Sequence, residues 1–275
     1  GMTLNLAPIW TGGVGTFQVG TQITSLVGIE NVLGVGGSEF ADRITIGTGY
    51  TGSLPFTVDL HGGNDTIDGG DGADAIMGGA GDDSITGGAI DNYLSGGDGN
   101  DTLYALAGND YLNGEQGNDK LYGGDGSDQM YGDQGDDLVS GGNGNDSLYG
   151  YDGNDTLAGS TGDDFLAGGV GNDNLQGGGG NDTLIVQDYL AFGAGDALDG
   201  GTDTDLLRLY FYGAPNGVSI DLSAYWATLS ATVNGAQISG IEAFEFQMGS
   251  GNDTVTIGAA ATTAQLIEGN DGNDT

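Results

Sequence analysis

The chain has 275 residues, 60 of them glycine, and 40 acidic side chains face only three basic ones (Arg43, Lys120 and Arg208), for a formal charge of −37 at neutral pH. That charge excludes nucleic acid and anionic membrane as electrostatic partners and points to cations. There is no cysteine to hold the chain together and no apolar run near the ~18 residues of a membrane span, so the metal-free polypeptide is expected to stay expanded, its thin apolar content unable to offset the ordering entropy.

Residues 1–59 read as a β-rich spacer or cap. The start, MTLNLAP from Met2, lacks the basic region and apolar stretch of a secretory signal. Residues 27–47, VGIENVLGVGGSEFADRITIG, are β-branched and turn-rich, with no helical period.

From residue 60 to residue 185 the chain is fourteen nine-residue units without a gap, the clearest being GGDGADAIM (69–77), GGAGDDSIT (78–86), GGDGNDTLY (96–104) and GGNGNDSLY (141–149). Each follows Gly-Gly-x-Gly-x-Asp-x-aliphatic-x. The eighth position holds Ile67, Ile76, Ile85, Leu94, Leu103, Leu112, Leu121, Met130, Val139, Leu148, Leu157, Leu166, Leu175 and Leu184. One apolar residue in nine is too sparse for a helix face, but the polar-apolar-polar triplet around it suits a short half-buried strand. The glycines before it suit a tight turn. Two units then make one coil of eighteen residues, and seven coils stack in parallel.

Stacking sorts the sixth-position residues into two columns. One holds Asp65, Asp83, Asp101, Asp119, Asp137, Asp155 and Asp173; the other holds Asp74, Asn92, Asp110, Asp128, Asp146, Asp164 and Asp182. Carboxylates about 5 Å apart repel by about 1 kcal/mol per pair in water and several times more in a groove, so the coils need divalent cations between them. Carboxylate plus backbone carbonyl is a hard oxygen site that suits calcium, and six intervals per column allow up to about twelve ions. The Asp residues of both columns are the primary candidate ligands. The turn backbone supplies the rest: Gly69, Gly78, Gly96, Gly123 and Gly141 at the first position, Gly72, Gly81, Gly99, Gly108, Gly117, Gly126, Gly135, Gly144, Gly153, Gly162, Gly171 and Gly180 at the fourth, and Asn100, Asn109, Asn118, Asn145, Asn154, Asn172 and Asn181 at the fifth. Ordinary turn aspartates would not keep a strict spacing of nine, and an EF-hand needs a bidentate Glu between helices, which this text lacks. The fourth unit, GGAIDNYLS (87–95), departs from the pattern: Ile90 replaces a turn glycine and Asn92 replaces the Asp, so the intervals Asp74–Asn92 and Asn92–Asp110 are expected to bind calcium weakly or not at all, and the opposite column to be fully occupied.

Residues 186–208 carry two degenerate units that keep Asp196 and Asp205 but lose the fourth-position glycine. Residues 209–268 are a second β-rich spacer. Its stretch 239–258, SGIEAFEFQMGSGNDTVTIG, repeats the Gly-Ile-Glu, Asp and Thr-Ile-Gly landmarks of 27–47, which sets Asp253 and Asp42 where a repeat Asp would stand. Residues 269–275, GNDGNDT, read as the start of a further repeat, as expected of a segment taken from a longer array with a period near 210 residues.

The nonapeptide block resembles the RTX (repeats-in-toxin) family of secreted bacterial proteins, whose repeat has this pattern. The resemblance implies an all-β fold, a right-handed parallel β-roll flanked by β-rich caps, calcium as cofactor, export of an unfolded chain and folding outside the cell. The family's C-terminal export signal is not recognisable here. The parent protein is expected to be a surface adhesin, a lattice protein of the S-layer kind or an exoenzyme, with a surface polysaccharide or protein as a further partner.

Catalytic chemistry finds little support. There is no Gly-x-Ser-x-Gly elbow and no His-Glu-x-x-His. The single histidine, His61, reads as a turn residue at the second position of the first unit. A β-helix enzyme acting on acidic polysaccharide is the alternative, but three basic residues leave little to bind a sugar acid. Tyr104 with Tyr122, and Tyr131 with Tyr149, fall eighteen apart at the ninth position and are expected as outward pairs that stabilise the sheets rather than a sugar platform. An ice-binding face is discounted because the third position carries no regular Thr or Asn ladder.

Overall fold

The computed structural model describes residues 56–72, 74–187, 195–211, 236–248 and 252–257, residue 41, and the strands Phe17–Gln18, Val35–Gly36, Arg43–Thr45, Ser219–Leu222, Ser230–Val233 and Leu266–Glu268. The described elements are all strands. Asp42, the first Gly-Ile-Glu and the closing GNDGNDT lie outside the described residues. The chain divides into two compact units, Gly1–Asn143 and Gly144–Thr275.

In the first unit the nonapeptides alternate between two parallel sheets. Phe56–Asp59, Asp74–Ala80, Tyr93–Asp98, Tyr111–Gln116 and Gln129–Gln134 stack in one; Thr66–Asp68, Ser84–Gly88, Thr102–Ala107, Lys120–Asp125 and Leu138–Asn143 stack in the other. The register is the eighteen-residue offset: Leu94 pairs Leu112 and Leu112 pairs Met130, while Leu103 pairs Leu121 and Leu121 pairs Val139. Each coil is thus two short strands and two turns of a parallel β-solenoid.

The second unit repeats this arrangement and extends it past the regular array. Phe165–Val170 pairs Thr183–Val186, which pairs Leu206–Tyr210, which pairs Ala243–Gln247, which pairs Leu266–Glu268. In the other sheet Asn174–Gly179 pairs Ala197–Thr202, which pairs Ala236–Ser239, and Ser230–Val233 adds an antiparallel edge. The degenerate units and part of the C-terminal spacer therefore form coils too, at offsets of 23 and then 37 to 40 residues rather than 18 (Asn174↔Ala197, Leu206↔Ala243, Ala197↔Gln237). Ser219–Leu222 and Thr254–Ile257 make a separate parallel pair.

Eighth-position side chains form the core, from Ile67 to Leu184, and all are buried. Phe211, Phe244 and Phe246 continue it in the second unit. The inward-facing partners of this aliphatic file are the sixth-position residues: Asp65 through Asp182, Asn92 included, are buried as well. Each nonapeptide thus buries a polar sixth-position side chain two residues before a buried apolar one.

The turns show why the repeat needs glycine in two places. Gly99, at the fourth position, has φ +142°, and a methyl there would overlap the carbonyl of Gly81 one coil away. Gly78, at the first position, has no room for a methyl against Asp83 Oδ2, with Gly96 O 2.6 Å away. The second position is also left-handed, even where it is not glycine: His61, Leu106, Glu115, Asp133, Tyr151 and Ser160 have φ between 68° and 86°. Those side chains accept a conformation costing on the order of 1–3 kcal/mol outside glycine, because the coil-to-coil hydrogen bonds on both sides prescribe it. In the fourth unit the backbone gives way instead: Ile90 is not among the positive-φ residues, and its side chain is 44% exposed.

Candidate metal centre

The two columns exist as ladders. In the first unit each sixth-position N–H donates to the carboxylate one coil later: Asp65 to Asp83, Asp83 to Asp101, Asp101 to Asp119 and Asp119 to Asp137, each at 2.7 Å to Oδ1. The other column runs Asp74 to Asn92 (3.0 Å), Asn92 to Asp110 (2.6 Å) and Asp110 to Asp128 (2.8 Å). In the second unit Asp155 donates to Asp173 (3.0 Å) and Asp173 to Asp196 (2.9 Å); Asp146, Asp164 and Asp182 donate to Asp164, Asp182 and Asp205, each at 2.8 Å. One oxygen of each acceptor is thereby used by the backbone.

The other oxygen is stranded. Oδ2 of Asp83, Asp101, Asp110, Asp119, Asp164, Asp182 and Asp205, and both oxygens of Asp74, are buried with no hydrogen-bond partner. An unsatisfied buried carboxylate oxygen costs at least ~1–3 kcal/mol, and here the cost recurs coil after coil. Burial is the largest influence on their acidity; at Asp83, Asp101 and Asp110 a backbone hydrogen bond opposes it and neighbouring carboxylates add to it, and at Asp74 the Asp68 carboxylate adds to it. It pushes Asp74, Asp101, Asp110, Asp164 and Asp205 up to about 7, and Asp83, Asp119 and Asp173 up to about 6.

No side chain is on hand to neutralise them. Arg208 is engaged with Glu245 at 2.8 Å, and Lys120 and Arg43 are exposed. Among the described residues no three acidic or imidazole side chains converge on one point, so a cation would take carboxylates from successive coils and complete its shell from backbone carbonyls. The turn geometry fits that: the first-position glycines Gly69, Gly78, Gly96 and Gly123 lie against Oδ2 of Asp74, Asp83, Asp101 and Asp128, and the carbonyls of Gly96 and Gly141 approach from the next coil. The fourth-position glycines Gly81, Gly99, Gly108, Gly117, Gly126, Gly135, Gly144, Gly153, Gly162, Gly171 and Gly180 all take positive φ, which only glycine adopts without strain. Gly72 stands beside this corner, its carbonyl 2.7 Å from where a methyl on Gly88 would lie. An all-oxygen pocket of carboxylate and carbonyl suits a hard divalent cation of calcium's size.

The fifth-position side chains do something the repeat pattern did not disclose. They form a second ladder of opposite polarity, each accepting the fifth-position N–H of the following coil: Asn100 from Asn118 and Asn118 from Asp136, Asn109 from Ser127, Asn145 from Asp163, Asn154 from Asn172 (2.9–3.0 Å). Asn181 accepts likewise from Thr204. Their amide oxygens are thus committed to the backbone, which leaves only their carbonyls to offer. The near-constant Asn or Asp at that position was the available signal.

Asn92 closes its interval differently. Its Oδ1 accepts from Asp74 N, and its Nδ2 donates to Asp110 Oδ1 at 3.1 Å. Where Asp83, Asp101 and Asp119 set an Oδ2 without a hydrogen-bond partner against the first-position glycines Gly78, Gly96 and Gly114, this unit sets an amide nitrogen, 2.9 Å from where a methyl on Gly87 would lie. The amide supplies the positive end that a cation would bring.

The remaining expected features are peripheral. His61 is an exposed turn residue 3.2 Å from Asp59. Tyr104 stacks on Tyr122 (ring centroids 4.9 Å apart), and Tyr93 stacks on Tyr111 (5.0 Å), a pair at the seventh position that the ninth-position spacing could not reveal. Tyr131 packs against Tyr111, and in the second unit Tyr149 packs against Phe165 and Tyr151. Tyr149 and Tyr151 share one strand; the other contacts are cross-strand pairs of the kind that stabilise sheets.

A search of curated proteins returned no match. The family model for the RTX calcium-binding nonapeptide repeat (4 copies) matches over residues 61–85, 86–121, 114–148, 122–157 and 149–184. Two files of stacked, buried, half-satisfied aspartates in a glycine-turned parallel solenoid are what such repeats build, and residues 61–184 belong to the RTX calcium-binding nonapeptide repeat family.

Proposed function

We propose that this chain is a calcium-dependent folding module of a secreted protein: expanded where calcium is scarce, and ordered into a stiff parallel roll outside the cell. The observation that carries the proposal is the row of buried Oδ2 atoms with no hydrogen-bond partner. Buried charge of one sign cannot persist without a counter-charge, and three basic residues do not supply it. Calcium, when bound, brings two positive charges and a demand for six to eight oxygens at each interval. The chain's own part is to hold one carboxylate oxygen on the neighbouring N–H, leave the other bare, and turn glycine carbonyls toward it. Metal binding and coil closure are then one event, as in other small domains that fold on their metal.

The segment itself is non-catalytic in this reading. Its buried sixth-position aspartates are spent on the ladders, His61 is an exposed turn residue, and Tyr93, Tyr104, Tyr111 and Tyr122 stack on one another. Secretion is supported by the habit of the repeat family and by a charge that keeps the unfolded chain soluble.

Circular dichroism tests the proposal directly. The chain is expected to be disordered in chelator and β-structured with millimolar calcium, while magnesium, which requires a tight octahedron and retains its waters, does not substitute. A chain equally ordered in chelator would overturn it.

A further inference from the structure

We infer that the metal column does not stop with the nonapeptide array: Asp205, Glu242 and the carbonyl of Gly240 form one more calcium site, built by the degenerate repeat and the C-terminal spacer. The inference rests on the calcium-dependent reading above and adds a site outside the residues that the repeat family covers, 61–184.

Three features carry it. First, the ladder hydrogen bond continues with a glutamate in the aspartate's place. Asp182 N donates to Asp205 Oδ1 at 2.8 Å, and Asp205 N donates in turn to Glu242 Oε2 at 3.0 Å. Thirty-seven residues separate that pair instead of eighteen, yet the strands that follow them are in parallel register, Leu206 with Ala243 and Leu207 with Phe244. Second, Asp205 is wholly buried and its Oδ2 has no hydrogen-bond partner, the state of the array aspartates. Third, the glycine cradle recurs. In the array, a methyl on Gly177 would meet Asp182 Oδ2 and, at 2.5 Å, the carbonyl of Gly200. One coil on, a methyl on Gly200 would meet Asp205 Oδ2 at 2.7 Å and the carbonyl of Gly240. Gly240 therefore plays the first-position part, and Glu242 the sixth-position part, of a coil whose sequence does not resemble the repeat.

An uncharged reading of the same contact is that Glu242 only caps the last N–H of the column. Glu242→Gln separates the two, because the amide keeps an oxygen for Asp205 N–H and removes the charge. It is the change that nature has made at Asn92. Calcium binding to the full chain is counted by isothermal titration calorimetry and equilibrium dialysis with calcium alone, and hydrogen exchange of residues 243–247 reports the local coil. The expected result is that Glu242→Gln stays folded in calcium but binds one ion fewer, and that calcium no longer protects those amides beyond their level in chelator. Asp205→Asn, whose side chain borders two intervals, is expected to lose one or two ions. An Asp119→Asn control in the array is expected to lose its own ions and leave exchange at 243–247 unchanged. If Glu242→Gln and Asp205→Asn both bind the wild-type number of ions with wild-type affinity, the site does not exist and Glu242 is a cap. If the parent chain binds no calcium at all, it is the proposed function that fails.

Discussion

Replacing Asn92 by aspartate restores the repeat where the column breaks, and the consequences can be worked from its contacts. In the native chain the Asn92 amide donates to Asp110 Oδ1 at 3.1 Å, a hydrogen bond to a charged acceptor of ~1.5–3 kcal/mol. Asn92→Asp loses that bond and sets a carboxylate between Asp74 and Asp110, one coil rise of ~4.8 Å from each. At an effective dielectric near 20, each pair repels by ~3 kcal/mol. The sum, ~8 kcal/mol, exceeds the cost of protonating a carboxylate at pH 7.5, which is ~5 kcal/mol at ~1.4 kcal/mol per pH unit above the ordinary value. The new group therefore takes up a proton in the absence of metal, and the penalty to the metal-free coil is held near ~5 kcal/mol at pH 7.5 and ~1.5 kcal/mol at pH 5. With calcium the sign reverses, because the two intervals that flank residue 92 each gain the carboxylate they lacked. Calorimetry is expected to find up to two ions more than wild type, and the calcium titration followed by circular dichroism is expected to steepen. An unchanged ion count in Asn92→Asp would refute the argument, as would well-ordered ions in both Asn92 intervals of a wild-type crystal.

Asp119→Ala removes the acceptor of Asp101 N–H and a carboxylate shared by two intervals, and it is expected to destabilise the calcium-bound fold by several kcal/mol and so to raise the calcium midpoint for folding. Asp253→Ala is expected to shift that midpoint much less, since Asp253 precedes Thr254–Ile257, a strand paired with Ser219–Leu222 and not with either long sheet; an equal shift would make the spacer's Asp253 a further calcium ligand. Acid is expected to mimic the metal in part. The buried aspartates have folded-state values near 6 to 7 against an ordinary 3.8, so the metal-free fold binds more protons than the unfolded chain. Its stability is full below pH ~4 and is lost as pH rises through ~7. In chelator, β-structure should therefore grow as pH falls from 8 to 5, while the calcium midpoint climbs over the same range; a spectrum in chelator that does not change with pH would count against buried, counter-ion-starved carboxylates.

The architecture of the array was legible because a solenoid's contacts are its sequence displaced by one coil. Within the regular part of each unit an eighth-position residue meets the one eighteen later, as Leu103 meets Leu121 and Leu148 meets Leu166, so a period of nine in the text becomes two sheets, an aliphatic file and two acidic columns without any long-range information. Leu94 against Leu112, and Asp83 beneath Asp101, follow from counting alone. The break at Ile90 and Asn92 was equally visible, because a departure from a strict period names its own position.

What only the tertiary structure decided falls into two kinds. Hydrogen-bond direction is not periodic information: that Asn118 N–H binds Asn100 while Asp101 N–H binds Asp119, and that the Asn92 amide turns its nitrogen to Asp110, depends on side-chain torsions that the repeat leaves open. The reach of the column is the other kind. Once insertions of unequal length enter the sequence, sequence offset and spatial offset part company, and the coil after Asp205 closes on Glu242 rather than on any residue eighteen or twenty-three positions on. Parallel strand pairing constrains where a chain returns but not how many residues it spends on the way, and so Glu242 takes the place of an aspartate that no reading of the period could have found.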